Sequence, residues 1–239
     1  MVRRAVVIIP TYNEAENLPL LVPRVLEQDP RLEVLVVDDE SPDRTGKLAD
    51  ELAEKTGRVH VLHRRAKQGL GAAYRAGFAR ALELDPDVVI QMDADFSHPP
   101  ETIPTMLARI EHCDVVLGSR YLNGVTVVNW PIERILISYF GNWYARRVTG
   151  LPISDTTGGF RCMRRSALEG VGYERIRADG YAFQIELNYR FVRSGARLEE
   201  IPFFFLDRTR GVSKLTVRIG LEALWAVWRM RIADALGRL

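Results

Sequence analysis

Cysteine is scarce in this sequence: Cys113 and Cys162 are the only two among 239 residues. They stand in unrelated contexts without metal-type spacing, which argues against a disulfide framework and fits a reducing compartment. Long apolar runs are missing too, and no stretch approaches the ~20 apolar residues that span a bilayer. The N-terminal "MVRRAVVIIPTYNE" places basic residues before an apolar run, but Pro10 and acidic residues close that run too early for a signal-peptide core. A large charge of one sign is also absent. With 33 basic and 31 acidic residues the net charge is +2, so whole-chain charge implies no polyanionic partner and nucleic acid is not expected. No internal repeat, low-complexity tract or clear linker interrupts the chain. What remains is an ordinary globular composition, 47% hydrophobic and 27% charged, long enough for one large domain with a proper core.

The first half alternates strand and helix. Strands are expected at Ala5–Ile9, stopped by Pro10, at Glu33–Val37, at Val59–His63, at Val88–Met92 and at Asp114–Gly118. Between them run helical patterns. One starts near Asn13, with Glu16 in a capping-box position and a stripe of Leu18, Leu21, Val22, Val25 and Leu26. Another starts at Ser41-Pro42 and reaches about Lys55. Further helices are expected at Leu70–Leu84 and Glu101–Glu111. Short buried strands alternating with helices predict a mainly parallel α/β sheet covered on both faces. The second half is less regular. Helices are expected at Ile132–Thr149 and Tyr181–Ser194, a strand at Arg197–Leu206, a basic loop at Asp207–Lys214 and an amphipathic helix over 216–239.

In such sheets ligands bind beyond the carboxyl ends of the strands. Polar clusters stand at several of those ends: Thr11-Tyr12-Asn13-Glu14, Asp38-Asp39, Asp93-Ala94-Asp95 and Ser119-Arg120. Two carboxylates one residue apart at a strand exit, as in "VVIQMDADFSHPPE", offer hard oxygen ligands that can hold Mg2+ or Mn2+ against a diphosphate. The bare pattern occurs often by chance; convergence with the other strand ends strengthens it. His98, before a double proline, fits either a ligand contact or a structural turn. Asp38 or Asp39 can accept hydrogen bonds from a base or ribose, while Ser41 and Asp43 suit helix capping. The small residues of "QGLGAAYRAG" follow the third strand and are not a dinucleotide fingerprint; they suit close helix packing. The P-loop pattern is absent.

Taken in order, "IIPTYNEAENL", "VVDDESPDRT", "KQGLGAAYRAGF", "QMDADFSHPPE", "VVLGSRYLNG", "SDTTGGFRCMRR" and "DRTRGVSKL" resemble family 2 glycosyltransferases, and more narrowly the polyprenol monophosphate mannose synthases. The resemblance covers roughly residues 5–215. It implies a GT-A fold and an inverting transfer of mannose from GDP-mannose to a polyprenyl (dolichyl) monophosphate. Carried over by motif, Pro10, Tyr12, Glu14, Ala94 and Asp38 or Asp39 would hold the nucleotide, and Asp93 and Asp95 the metal and diphosphate. Arg120, Arg208 and Lys214 would bind phosphates of donor or acceptor, with Asp155, Arg161 and Ser213 bordering the acceptor side. Some members carry Gln two residues after the second Asp; here the position is Ser97. Many members have C-terminal transmembrane segments, which this sequence does not show, and the Q-x-x-R-W of processive members is absent, so a single transfer is expected.

The chemistry suits these residues. A phosphate monoester is already ionised near neutral pH, so no strong general base is required. The site needs cations that bring two anionic substrates together, a task for which arginine forks are well shaped. A polyprenyl tail stays in the bilayer, so the enzyme is expected to work peripherally at the cytoplasmic face of a membrane. Trp225 and Trp228 with the arginines of the last helix suit an interfacial helix; a helix packed on the domain's own core, or on a membrane-anchoring partner, is the alternative. Ile132–Phe140 is a second candidate for lipid contact. Two rival functions remain at this point: a UDP-glucose-dependent transferase on the same lipid, and a non-catalytic nucleotide-sugar-binding subunit.

Overall fold

The apolar runs at the start of the chain form strands buried on both faces. In the computed structural model, which describes residues 1–206 and 217–237, β1 (Ala5–Thr11), β2 (Leu32–Asp38), β3 (Val59–His63) and β4 (Val88–Gln91) alternate with α1 (Leu18–Gln28), α2 (Thr45–Thr56) and α3 (Leu70–Glu83). A short 3-10 turn leads into α4 (Ile103–Arg109) and β5 (Val115–Ser119). Then come β6 (Val127–Val128), α5 (Ile132–Thr149), β7 (Arg161–Arg164), α6 (Arg165–Gly170), α7 (Gly180–Arg193), β8 (Leu198–Pro202), β9 (Phe205–Leu206) and α8 (Val217–Ala235).

Seven strands make one sheet in the order β3-β2-β1-β4-β7-β5-β8, while β6 and β9 pair separately. All pairings in the large sheet are parallel except those of β7, which runs antiparallel to β4 and β5. Alternate residues feed two cores. Val6 and Ile8 face α3 and α7, packing with Tyr74, Phe78 and Phe183. Val7 and Ile9 face the other way, towards Leu18, Leu21 and Ile103. This is the two-sided burial that parallel sheets require.

Four local expectations are corrected. Pro10 does not stop β1, which pairs with β2 as far as Thr11 against Asp38. Alternation puts the missing N–H of Pro10 on the β4 side, where pairing has already ended at Ile8 with Gln91, so no ladder bond is lost. Asn13 caps no helix: it takes a left-handed backbone, φ 62°, and α1 begins only at Leu18. Ser41 does not cap α2; its hydroxyl donates to Asp38 instead at 2.6 Å, and Asp43 accepts from the Thr45 N–H and hydroxyl at the helix start. The run expected as one strand over 197–206 splits after Pro202, and β9 leaves the sheet to join β6.

The last helix packs on the domain's own core, one of the two expected alternatives. Ala226, Val227 and Met230 join the core beside α7, and the Tyr189 hydroxyl donates to Asp234 at 2.7 Å. Its other face leaves Trp225, Trp228, Ile232 and Leu236 exposed. The neighbouring α5 exposes Ile132, Leu136, Ile137, Tyr139, Phe140 and Trp143. Among the described residues no helix is long and apolar enough to cross a membrane.

Candidate active site

The carboxyl ends of β1, β2 and β4 open onto a single cleft of about 370 Å³. Its walls are Pro10, Thr11, Tyr12 and Glu14 after β1, Asp39 after β2, Lys67, Gly69, Leu70 and Ala73 around the start of α3, and Asp93, Ala94 and Asp95 after β4. Thr157 and Gly159 before β7, and Asp179, Gly180, Tyr181 and Gln184 at the start of α7, complete it. The strands stagger so that three separate sequence clusters meet at one rim, as the sheet topology demands.

Asp93 is held at both ends. Its N–H donates to His98 Nδ1 at 3.0 Å, and its Oδ1 accepts the Tyr74 hydroxyl at 3.0 Å. Asp95 Oδ1 accepts the Ser97 N–H at 3.1 Å, with Phe96 between them in a left-handed conformation, φ 62°. This turn carries the chain from β4 over the cleft edge. His98 resolves as structural. It is buried, its ring stacks on Phe160 at 4.9 Å, and burial lowers its pKa despite the nearby Asp93 and Asp95 carboxylates. A neutral ring accepting at Nδ1 carries its proton on Nε2. Ser97 is buried as well and serves the turn.

The two acids ending β2 divide their work. Asp38 lies beneath the rim, where Thr11 Oγ1, the Ser41 N–H and the Ser41 hydroxyl all donate to it. A Cβ on Gly46 would come within 2.9 Å of its Oδ2, so α2 sits against it. Asp39 is the one that lines the cleft, paired with Arg64. Burial raises its pKa more than the Arg64 charge lowers it. At the lip, the Lys67 ammonium lies 3.7 Å from the Tyr12 ring centroid, a cation–π contact.

Three residues expected to touch substrate lie instead below the cleft. Arg120 and Asp155 form a buried fork: Nε and Nη2 of Arg120 donate to the two carboxylate oxygens at 2.6 and 2.7 Å. Asp155 also accepts the N–H groups of Arg120, Thr157 and Gly158. Burial alone would lower the Arg120 pKa, but the Asp155 charge and hydrogen bonds outweigh it and raise it. Burial would raise that of Asp155, yet Arg120 holds it below the ordinary carboxylate range. The pair therefore braces the loop before β7. Arg161 is fully buried, its Nη2 donating to Gly158 O and to Gln184 Oε1, both at 2.8 Å. Arg208, Ser213 and Lys214 lie outside the described residues.

Sequence reasoning missed Tyr74, Asp179 and Gln184, whose roles depend on helices far from the strand ends in the chain. Asp179 takes the Gly71 N–H at 2.6 Å, and a Cβ at Gly69 would lie 2.1 Å from its Oδ2. The glycines of "QGLG" thus admit a carboxylate and the α7 loop against the start of α3.

A divalent cation fits the donor set. Asp93 and Asp95 present hard carboxylate oxygens at the cleft edge, and Tyr74 engages only one oxygen of Asp93. No cluster of three or more metal-binding side chains exists among the described residues. A cation here would draw further ligands from phosphate and water, as Mg2+ commonly does.

The chain is similar to known proteins in sequence and in fold. A polyprenol monophosphomannose synthase of Mycolicibacterium smegmatis is 46% identical over 238 residues, covering 99% of this chain and 90% of that protein. An undecaprenyl-phosphate mannosyltransferase of Micrococcus luteus is 45% identical over 230 residues, covering 96% and 95%. A solved mannosyltransferase of Pyrobaculum calidifontis, in complex with GDP-Man and Mn2+, matches the fold with a TM-score of 0.59 at 19% identity, covering 100% of this chain and 76% of its own. The sheet with its one reversed strand and two covered faces is a GT-A fold. The family model for glycosyl transferase family 2 matches residues 6–172, and the chain belongs to that family.

Proposed function

We propose that this glycosyltransferase moves mannose from GDP-mannose to a polyprenyl monophosphate, with inversion and with Mg2+ or Mn2+ in the cleft. The observation that carries the reading is the cleft itself, with Asp93 and Asp95 at its edge and a broad apolar face beside it. The names of the two relatives support the acceptor class and the sugar.

In this reading Tyr12, Glu14 and Asp39 bind the nucleoside, and Asp93 and Asp95 hold the cation. When bound, the cation would neutralise charge developing on the leaving diphosphate. The remaining work belongs to the chain. The Arg120–Asp155 fork fixes the loop bearing Thr157 and Gly159, which forms the floor under the reacting sugar. Lys67, exposed at the lip, offers a positive charge to incoming phosphate. Arg208 and Lys214 are proposed as the acceptor-phosphate cations. An ionised phosphate oxygen attacks the anomeric carbon without needing its proton removed, which agrees with the neutral, buried His98.

The lipid tail explains the exposed apolar residues of α5 and α8. Phe140 is 59% exposed and Trp225 69%, an arrangement suited to the membrane interface. Asn142, on the inner side of α5, accepts the Thr156 N–H at 2.8 Å and donates to Thr157 Oγ1 at 3.3 Å. The lipid-facing helix and the cleft floor are thus directly joined.

The test is transfer of radiolabelled sugar to a short polyprenyl phosphate in detergent, from GDP-mannose and in parallel from UDP-glucose, with Mn2+ or with EDTA. Metal-dependent label from GDP-mannose is expected. Label from UDP-glucose alone would replace the sugar and base; binding of both nucleotides without transfer would favour a regulatory subunit.

A further inference from the structure

The cleft floor hides a polar chain that the proposed reaction has not yet used. Tyr74 is fully buried on α3, its ring stacked on Phe183 at 6.0 Å and 8° and on Phe78 at 5.9 Å. Its hydroxyl donates to Asp93 Oδ1 at 3.0 Å. The Gln91 amide also interacts with that hydroxyl. Gln91 Nε2 donates to Gln184 Oε1 at 2.8 Å, and Arg161 Nη2 donates to the same oxygen at 2.8 Å. Arg161 and Gln91 are 0% exposed.

Two features separate this chain of groups from ordinary core packing. Gln91 Oε1, Arg161 Nε and Arg161 Nη1 are buried without hydrogen bonds, an arrangement that an apolar core would avoid. Arg161 also has no carboxylate in hydrogen-bonding contact among the described residues. Burial brings its pKa down to about 10, against opposing influence from Tyr74, Asp155 and Asp93. Asp155 is already paired with Arg120.

We propose that Tyr74, backed by Gln91, Gln184 and Arg161, is a positioning residue for the metal site: its hydroxyl fixes one oxygen of Asp93 so that the other is turned to the cation. The clamped ring makes the donor rigid, which is what a ligand-orienting hydroxyl needs. The carboxylate is then ordered before the cation arrives. This inference rests on the metal reading given above.

The experiment measures Mn2+ binding by electron paramagnetic resonance in the presence of GDP, for the wild-type chain, Tyr74→Phe and Tyr189→Phe. Tyr74→Phe keeps the stacked ring and deletes only the hydroxyl. Its Mn2+ dissociation constant is expected to rise about tenfold, the lower end for loss of a group that orients a metal ligand. Raising Mn2+ should recover part of its transfer rate. Tyr189→Phe also removes a core hydroxyl, one bonded to Asp234, and is expected to bind Mn2+ like the wild type. A Tyr74→Phe constant within threefold of wild type overturns the positioning role while leaving the metal reading intact. A wild-type chain that binds no Mn2+ with GDP overturns the metal reading, and the positioning role with it.

Discussion

Asp155→Ala removes the partner of a fully buried guanidinium. The Asp155 side chain is 0% exposed and that of Arg120 5%. Breaking such a pair from one side costs ~3–5 kcal/mol, because the remaining charge stays in the interior unpaired. The N–H groups of Arg120, Thr157 and Gly158 lose their acceptor as well, so the upper half of that range is expected. Against a total of roughly 5–15 kcal/mol for a domain, the loss is about a quarter or more of the stability. Urea unfolding followed by circular dichroism at pH 7 reads it directly. With a slope of about 3 kcal/mol/M, the midpoint should fall by more than about 1 M. The sign with pH follows from the lowered folded pKa. The Asp155 contribution is complete above its ordinary value of 3.8 and is lost as pH falls below that through the folded value. The alanine variant should therefore show a weaker loss of stability in acid. A loss under about 1 kcal/mol, combined with a large drop in acceptor affinity, would refute the bracing role and return the pair to direct substrate contact.

Other consequences can be checked on the same protein. Asp93→Asn is expected to abolish transfer, and full activity in EDTA-treated variant would remove Asp93 from the metal site. Gly71→Ala should lose ~1–3 kcal/mol by urea unfolding, because its Cβ would stand 2.6 Å from the Ala178 carbonyl oxygen and 3.0 Å from Phe183. Gly141→Ala, with nothing within 4 Å of its Cβ, should gain roughly 0.5–1 kcal/mol from helix propensity. Phe140→Glu combined with Trp143→Glu should cut co-sedimentation with lipid vesicles several-fold, and unchanged binding would exclude α5 from the membrane contact.

The first half of the fold was legible because its signals are local. Runs such as "AVVII" and "EVLVV" have one stable use in an α/β domain, and each is followed by residues that line the cleft. Tyr12, Glu14, Asp39, Asp93 and Asp95 were readable for that reason. Helix starts were less so. Asn13, Glu16 and Ser41 carry the right chemistry for caps, but loop contacts such as Ser41 to Asp38 compete for the same side chains. The adjacency of Asp38 and Asp39 likewise left open which one faces the cleft, a choice made by the pleat and by α2 packing against Asp38.

By itself the sequence determined the alternating α/β plan, the order of the motifs and the acids at the strand exits, all properties of spacing along the chain. Only the tertiary structure decided that Arg120 and Asp155 neutralise each other below the cleft, that Arg161 is buried, and that Tyr74 reaches Asp93. The reason is physical. The reversed strand β7 enters between β4 and β5, bringing residues near 160 under a rim built by residues near 10, 39 and 93. A charge's partner, and hence its role, is set by that neighbour across the sheet and not by the residues beside it in sequence.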